Sequence, residues 1–454
     1  MATLPVYPPT WPVDPFQNPA QGEVRVPGSK SITNRALVLA ALCRPRTSCE
    51  LSGVLFSEDT EVMVQCLQKL GVTITTTGET DLTDAPRVCE GRLRPCRCSG
   101  TRAEIEIVPP EGAFVPREDL YVANSGTTMR FLTALVSLGC GRYRLDGVPR
   151  MRERPIADLL RVLQQLGVYA RSEANNGCPP VVVETRGLSG GRVSIKGSVS
   201  SQFLSGLLMA APRAQGDITI EVDGVLVSRP YVDMTVAMLR QFGARMDSDA
   251  RRFHIPGGQI LQAPRRYVIE PDASGASYFL AAAAITCGQV RIPHLGPESL
   301  QGDVRFADLL ERMGCVVRFT PEGLEVQGAP LRGIDADMNA LSDTVMTLAA
   351  VALFAQGPTT IRNVGHIRHK ETDRLAALAR ELRKLGAEVE ERADGLTITP
   401  APLHGAELDT YEDHRLAMAL ALVGLVVPGV VIHNPGCVAK TYPHFFADLE
   451  TLRC

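Results

Sequence analysis

The segment Val26–Cys43, VPGSKSITNRALVLAALC, sets Lys30, the hydroxyls of Ser29, Ser31 and Thr33, Asn34 and Arg35 at the head of an apolar run. Apolar on every face, that run reads as a buried helix whose N-cap oxygen comes from Ser31 or Thr33. The free N–H groups and dipole of such a helix start make half of an anion site, and Lys30 and Arg35 add to it. Comparable polar heads recur: NSGTTMR, GSVSSQF, PDASGAS, LSDTVM and YEDHR each precede an apolar stretch. Cations cluster beside them, as Arg130, as Arg150, Arg152 and Arg154 in GVPRMRERPI, as Arg368, Lys370 and Arg374 in HIRHKETDRL, as Arg415, and as Lys440 in GCVAKTYP. Any one arginine can be a solvated surface residue. Several in loops rich in Gly, Pro, Ser and Asn, next to buried helices, point to a small polyanion held by guanidinium forks. Neither G-x-x-x-x-G-K-[ST] nor G-x-G-x-x-G occurs, so this is not nucleotide-type phosphate recognition.

Elements that can position these residues follow from a six-fold rhythm. Small-residue-rich apolar segments fall at Asn34–Leu42, Thr127–Leu138, Gln202–Ala211, Ala276–Thr286, Thr344–Ala355 and His414–Val426. Amphipathic segments alternate with them, and five close on a glycine, Gly71, Gly167, Gly243, Gly314 and Gly386, as C′ residues do; the sixth ends in FFADLETL. The spacing of about 70 to 95 residues leaves room for two helices and four short strands per unit. The expected fold is α/β, six copies of one unit divided into two lobes of three. The buried helices face inward, and their starts point into a cleft. The proline-rich arm up to Gln21 is expected to lie extended on the surface or to be mobile. TTTGETDLTDAPRVCEGRLRPCRCSG reads as a long hairpin with no chemical role.

Composition narrows the function classes. The 454 residues are 45% hydrophobic and 21% charged, as in a globular protein with more than one core. A net charge of −3 and 5% aromatics argue against nucleic acid as a partner. The N-terminal stretch lacks a basic and apolar leader, and no apolar run spans a bilayer, so a cytoplasmic protein off the membrane is expected. Twelve scattered cysteines are expected to be reduced. Cys89, Cys96 and Cys98 lack the paired knuckles of a zinc site.

The motifs PGSKSITNRALVLAAL, NSGTTMRFLTAL, GVPRMRERPI, GSVSSQFLSGLLMAAP, LVSRPYVDMT, DASGASYFLAAAAI, LSDTVMTLAAVALFA, HKETDRLAALARELRKLGAEVEE, YEDHRLAMALAL and NPGCVAKTYPHFF together resemble those of the 5-enolpyruvylshikimate-3-phosphate (EPSP) synthases. The likeness runs in order from about Glu23 to Leu449. It implies a two-lobed inside-out α/β barrel with three βαβαββ units per lobe. The lobes would be 1–29 with 264–454, and 30–263, closing on substrate about Gly28 and Ala263–Arg266. The implied reaction joins shikimate 3-phosphate to phosphoenolpyruvate with release of phosphate, in a monomer needing neither metal nor organic cofactor, and the implied inhibitor is glyphosate.

By the match of motifs, shikimate 3-phosphate meets Lys30, Ser31, Arg35, Ser200, Ser201, Gln202, Ser228, Tyr231, Asp343, His366 and Lys370. Phosphoenolpyruvate meets Lys30, Asn124, Gly126, Arg150, Gln202, Arg374, Arg415 and Lys440, and a side chain at Gly126 would crowd it. Asp343 is the implied proton acceptor for the 5-hydroxyl. Glu371 moves the proton of the methylene carbon, a task that Lys30 can share, while His414 and Asp413 orient and stabilise charge. From residue types alone, Asp343 serves equally as a helix cap and His414 as a structural histidine. His366 and His369 have the spacing of zinc ligands among arginines that disfavour a metal. His366, Phe131 and Ser125 depart from the usual Asn, Pro and Ala of the family. Two rivals remain: a UDP-N-acetylglucosamine enolpyruvyl transferase, whose reactive cysteine is missing from GVPRMRERPI, and a non-catalytic binder of the same fold.

Overall fold

The computed structural model describes residues 5–77, 88–89, 92–93, 104–115 and 118–453. Most of the expected hairpin, with Cys96 and Cys98, lies outside them. The chain divides into two compact units. A central unit comprises Lys30–Gly78 and Arg102–Ile269; a terminal unit comprises Met1–Ser29 and Glu270–Cys454.

In the central unit, helices α1 (Lys30–Ala41), α3 (Gly126–Val136) and α5 (Ser201–Ala210) are almost wholly buried. Helices α2 (Glu58–Lys69), α4 (Ala157–Gln165) and α6 (Arg229–Gln241) bury one face. Each buried helix leads into the second strand of a mixed sheet, which pairs parallel with one neighbour and antiparallel with the other, as a helical crossover requires. Thus Cys140–Asp146 lies between Leu120–Tyr121 and Val181–Arg186, and Tyr169–Ser172 completes the sheet. Ile218–Asp223 lies likewise between Gly191–Lys196 and Arg252–Ile255. In the remaining sheet Cys49–Ser52 takes its parallel partner, Arg266–Val268, from the far end of the unit. That pairing holds the second crossing of the chain at Ile269–Glu270, beyond the expected 263–264.

The terminal unit repeats the plan with buried α7 (Ala273–Thr286), α9 (Val345–Ala352) and α11 (His414–Gly424). Its outer helices are α8 (Phe306–Met313), α10 (Arg374–Lys384) and the short α12 (Phe445–Glu450). Gln289–Pro293 pairs parallel with Gln21–Glu23, and Thr359–Arg362 with Asp335–Asp337. The last sheet is finished by the arm: Thr10–Pro12 runs antiparallel to Val431–His433. Tyr7 and Trp11 pack on Phe446, and Arg453 donates to the carbonyls of Asp14 and Pro15 while lying 4.6 Å from the Phe16 ring centre. The arm is therefore a structural strand that replaces the missing hairpin of the sixth copy.

Local chemistry explains the helix ends. Gly71, Gly167, Gly243, Gly314 and Gly386 all have left-handed φ, from 80° to 117°, which ends each outer helix without Cβ strain. Ser125, Ser200, Asp272 and Asp413 cap α3, α5, α7 and α11. The expected cap of α1 is not found at Ser31 or Thr33. Both lie inside a helix that starts at Lys30, and Thr33 Oγ1 faces the Leu55 N–H at 3.5 Å. The buried helices approach closely where residues are small; a Cβ on Gly206 of α5 would lie 3.0 Å from the Arg130 carbonyl oxygen of α3. Backbone cannot yield there, so Gly206→Leu should cost about 1–3 kcal/mol through overpacking. A denaturant midpoint equal to that of the unaltered chain would contradict this contact.

Candidate active site

In the terminal unit three cations and three carboxylates form one buried lattice. Arg374, the first residue of α10, is 1% exposed. Its Nε and Nη2 donate to the two oxygens of Asp413 at 2.7 and 3.2 Å, Nη2 also donates to Glu371 Oε2 at 2.9 Å, and Nη1 lies 3.5 Å from Asp343 Oδ1. Burial by itself lowers the Arg374 pKa, but Asp413, Glu371 and Asp343 outweigh it and the net shift is upward. Arg415 donates to Asp343 Oδ2 at 2.7 Å, and Lys440 to Glu371 Oε1 at 3.0 Å. Asp413 also accepts the Arg415 N–H, so one side chain both caps α11 and grips α10.

Asp343 does not cap α9: it lies in the kinked segment Asn339–Thr344 before that helix, α9 has no side-chain cap bond, and the carboxylate pairs with two arginines. His414 is fully buried, with Nδ1 3.8 Å from Asp413, and that enclosure suits an orienting role. His366 is 9% exposed and its pKa is lowered to about 4, first by burial and then by Lys370. It is neutral at pH 7. His369 is exposed, and no group of three or more His, Cys, Asp or Glu among the described residues is set to hold a metal.

The central unit gathers the other candidates at the starts of its helices. Arg35 is 2% exposed and donates to the Ser31 carbonyl in α1, Ser205 Oγ in α5, and the Tyr231 carbonyl and Thr235 Oγ1 in α6; it also lies 5.1 Å from the Phe131 ring centre. Burial lowers its pKa to about 10. Among the described residues it has no carboxylate partner, a costly state for a buried cation that an arriving anion would relieve. Phe131 thus serves as the floor under Arg35, and Ser125 as the cap of α3. Lys30 Nζ is 3.4 Å from Asp59 Oδ2, a partner that residue types alone did not single out. Ser200 caps α5, Ser201 is buried beside it, and Gln202 Nε2 donates to Thr127 Oγ1 at 3.2 Å. Ser228 begins α6 in left-handed backbone, φ 52°.

The three arginines of GVPRMRERPI, equivalent by residue type though the motif match picks Arg150, take different places. Arg150 pairs with Glu153 and Arg152 with Asp146, whereas Arg154 is buried and donates to the Asn124 carbonyl. A Cβ on Gly126 would come within 2.6 Å of Arg130 Nη1 and closer still to Arg154 Nη2. Crowding at Gly126 therefore acts on these two guanidinium groups.

Comparison with known proteins agrees with these motifs. The family model for EPSP synthase (3-phosphoshikimate 1-carboxyvinyltransferase) matches residues 16–105 and 93–449. A relative named 3-phosphoshikimate 1-carboxyvinyltransferase from Trichormus variabilis is 48% identical over 433 residues, 95% of this chain and 96% of the relative. The chain belongs to the EPSP synthase family. A relative of the same name from Marinomonas sp. is 46% identical over 435 residues, covering 95% of this chain and 97% of its own length. In fold, the chain is similar to the EPSP synthase structure from Acinetobacter baumannii, with TM-score 0.76, 24% identity and 98% of each chain covered. It is also similar to the enolpyruvyl transferase NikO from Streptomyces tendae, with TM-score 0.73 and 20% identity over 98% of this chain and 97% of that one. No described helix is long and apolar enough to cross a membrane.

The burial of His366 has a measurable consequence. An unfolded histidine titrates near pH 6.5, so between about 6.5 and 4 the unfolded chain binds a proton that folded His366 refuses. Its contribution to stability is complete above that window and is lost as pH falls through it. His366→Asn should flatten that part of the profile of melting temperature against pH; an unchanged slope would contradict the assignment.

Proposed function

We propose that this chain transfers the enolpyruvyl group of phosphoenolpyruvate to the 5-hydroxyl of shikimate 3-phosphate, as its family membership implies. The observation that carries the reading is the lattice itself: both carboxylates proposed to move protons, Asp343 and Glu371, rest on the cations proposed to bind phosphoenolpyruvate. Hydroxyl groups of Ser200, Ser201 and Ser228, with Lys370, suit the phosphate of shikimate 3-phosphate. Arg35, with Ser31, suits its carboxylate, and Gln202, Tyr231 and His366 suit the ring and its substituents. Arg374, Arg415 and Lys440, with Lys30, Arg150, Asn124 and Gly126, suit phosphoenolpyruvate.

The lattice is charge-balanced without ligand, so an anion arriving at Lys440 and Arg374 competes with Glu371 for them. Glu371 then loses cationic neighbours and gains an anionic one, and both changes favour its protonated form. Substrate binding thereby prepares the acid that the reaction needs. Asp343 takes the 5-hydroxyl proton as that oxygen bonds to C2, while Glu371 protonates the methylene carbon to a methyl group. The resulting ketal collapses when the methyl carbon returns a proton to Glu371 and the C2–O bond to phosphate breaks, the leaving phosphate taking up the proton that Asp343 holds. Lys30, held by Asp59, can share that proton, and Asp413 and His414 keep Arg374 and Arg415 aligned. Both substrates are multiply charged and do not cross bilayers unaided, which suits a cytoplasmic enzyme, here acting as a monomer.

Purified protein should release phosphate with phosphoenolpyruvate and shikimate 3-phosphate, and not with UDP-N-acetylglucosamine as acceptor. Asp343→Asn should lower kcat by about a hundred-fold or more, with both KM values changed only a few-fold. Full turnover in that variant would remove Asp343 from proton transfer.

A further inference from the structure

Between the strand Glu407–Leu408 and α11, the turn Asp409–Asp413 contains two consecutive non-glycine residues in left-handed backbone, Tyr411 (φ 52°) and Glu412 (φ 55°). Side chains with a Cβ rarely hold that conformation unless the surroundings impose it, and such residues gather where a site must be held in shape. The turn delivers Asp413, whose two oxygens hold Arg374 and whose N–H donates to the Thr410 carbonyl at 2.8 Å.

Packed against the turn is Glu381, whose side chain is fully buried on α10. One oxygen accepts the Asp409 N–H at 2.9 Å and the other accepts the Tyr411 hydroxyl at 2.5 Å. Lys384 Nζ, 2.8 Å away, supplies the counter-charge and also donates to Asp409. Arg380 closes the outside, 5.8 Å from the Tyr411 ring centre and donating to its hydroxyl at 3.3 Å. The same helix begins at Arg374, about 10 Å earlier along its axis. Helix α10 and the turn are therefore fastened twice, by Glu381 to Asp409 and Tyr411, and by Arg374 to Asp413.

We infer that Glu381 is a positioning residue for the reaction: it holds the left-handed turn that presents Asp413 to Arg374, without itself touching the proposed reacting centre. This rests on reading Arg374 as a ligand of phosphoenolpyruvate. Without the carboxylate the turn relaxes, Asp413 drifts, and Arg374 loses its orientation, while the hydroxyl cluster for shikimate 3-phosphate in the central unit is untouched.

The test uses the full chain with Glu381→Ala and Tyr411→Phe, the second of which keeps the buried carboxylate and its bond to the Asp409 N–H and removes the Tyr411 hydroxyl that Glu381 accepts and Arg380 donates to. In steady-state phosphate release, Glu381→Ala should raise KM for phosphoenolpyruvate about ten-fold or more and leave KM for shikimate 3-phosphate within about two-fold, with Tyr411→Phe intermediate. The Arg374 Nε–H signal in a 15N NMR spectrum, which needs no turnover, should shift in both variants. A lower melting temperature with both KM values and the Arg374 signal unchanged would overturn the inference. If Glu381→Ala does not fold, the same two readouts on Tyr411→Phe decide it. If the unaltered protein releases no phosphate, the functional reading fails, and the Arg374 signal alone decides whether the clamp is real.

Discussion

A guanidinium group taken out of water must be met by negative charge, and Arg374 meets that demand with three carboxylates from three separate stretches of chain. Asp343 comes from the turn before α9, Glu371 from the turn before α10, and Asp413 from the cap of α11. Uncompensated, such a burial costs several kcal/mol, so the starts of these helices are not free to move independently. Arg415 and Lys440 extend the same constraint to the first turn of α11 and to the segment Pro435–Lys440. The proposed chemistry draws on this, because the groups that neutralise the cations at rest are the ones assigned to move protons.

The central unit treats buried Arg35 differently. Arg35 is surrounded by carbonyls, hydroxyls and an aromatic ring, which satisfy its donors without cancelling its charge. A neutral shell leaves the positive potential available, where the terminal lattice largely spends it. The first arrangement suits an anion that binds and stays as it is; the second suits one whose arrival must change the protonation of its neighbours.

Much of this was legible in the order of residues. Helices buried on all sides declare themselves by small apolar composition, and the five glycines that end outer helices all adopt the left-handed backbone expected of C′ positions. Chain-distant pairings were not legible. Nothing near Thr10–Pro12 says that it completes a sheet with Val431–His433, or that Arg266–Val268 belongs beside Cys49–Ser52, because strands of three or four residues carry no pattern of their own. The site shows the same divide. An aspartate ahead of an apolar helix suits a cap or a catalyst equally well, and only the positions of Arg374 and Arg415 set the cap aside for Asp343. By residue type Arg150, Arg152 and Arg154 are alike, and burial sets Arg154 apart. The contacts of Asp59 with Lys30 and of Glu381 with Asp409 and Tyr411 join residues remote in sequence.

Replacing Arg374 with lysine keeps one positive charge and removes the planar fork that reaches Asp413 and Glu371 together, so it probes the lattice rather than its net charge. Steady-state phosphate release by Arg374→Lys, titrated separately in each substrate, is the most direct test. The account predicts a KM for phosphoenolpyruvate raised by about ten-fold or more, with that for shikimate 3-phosphate nearly unchanged. Kinetics indistinguishable from those of the unaltered protein would contradict it.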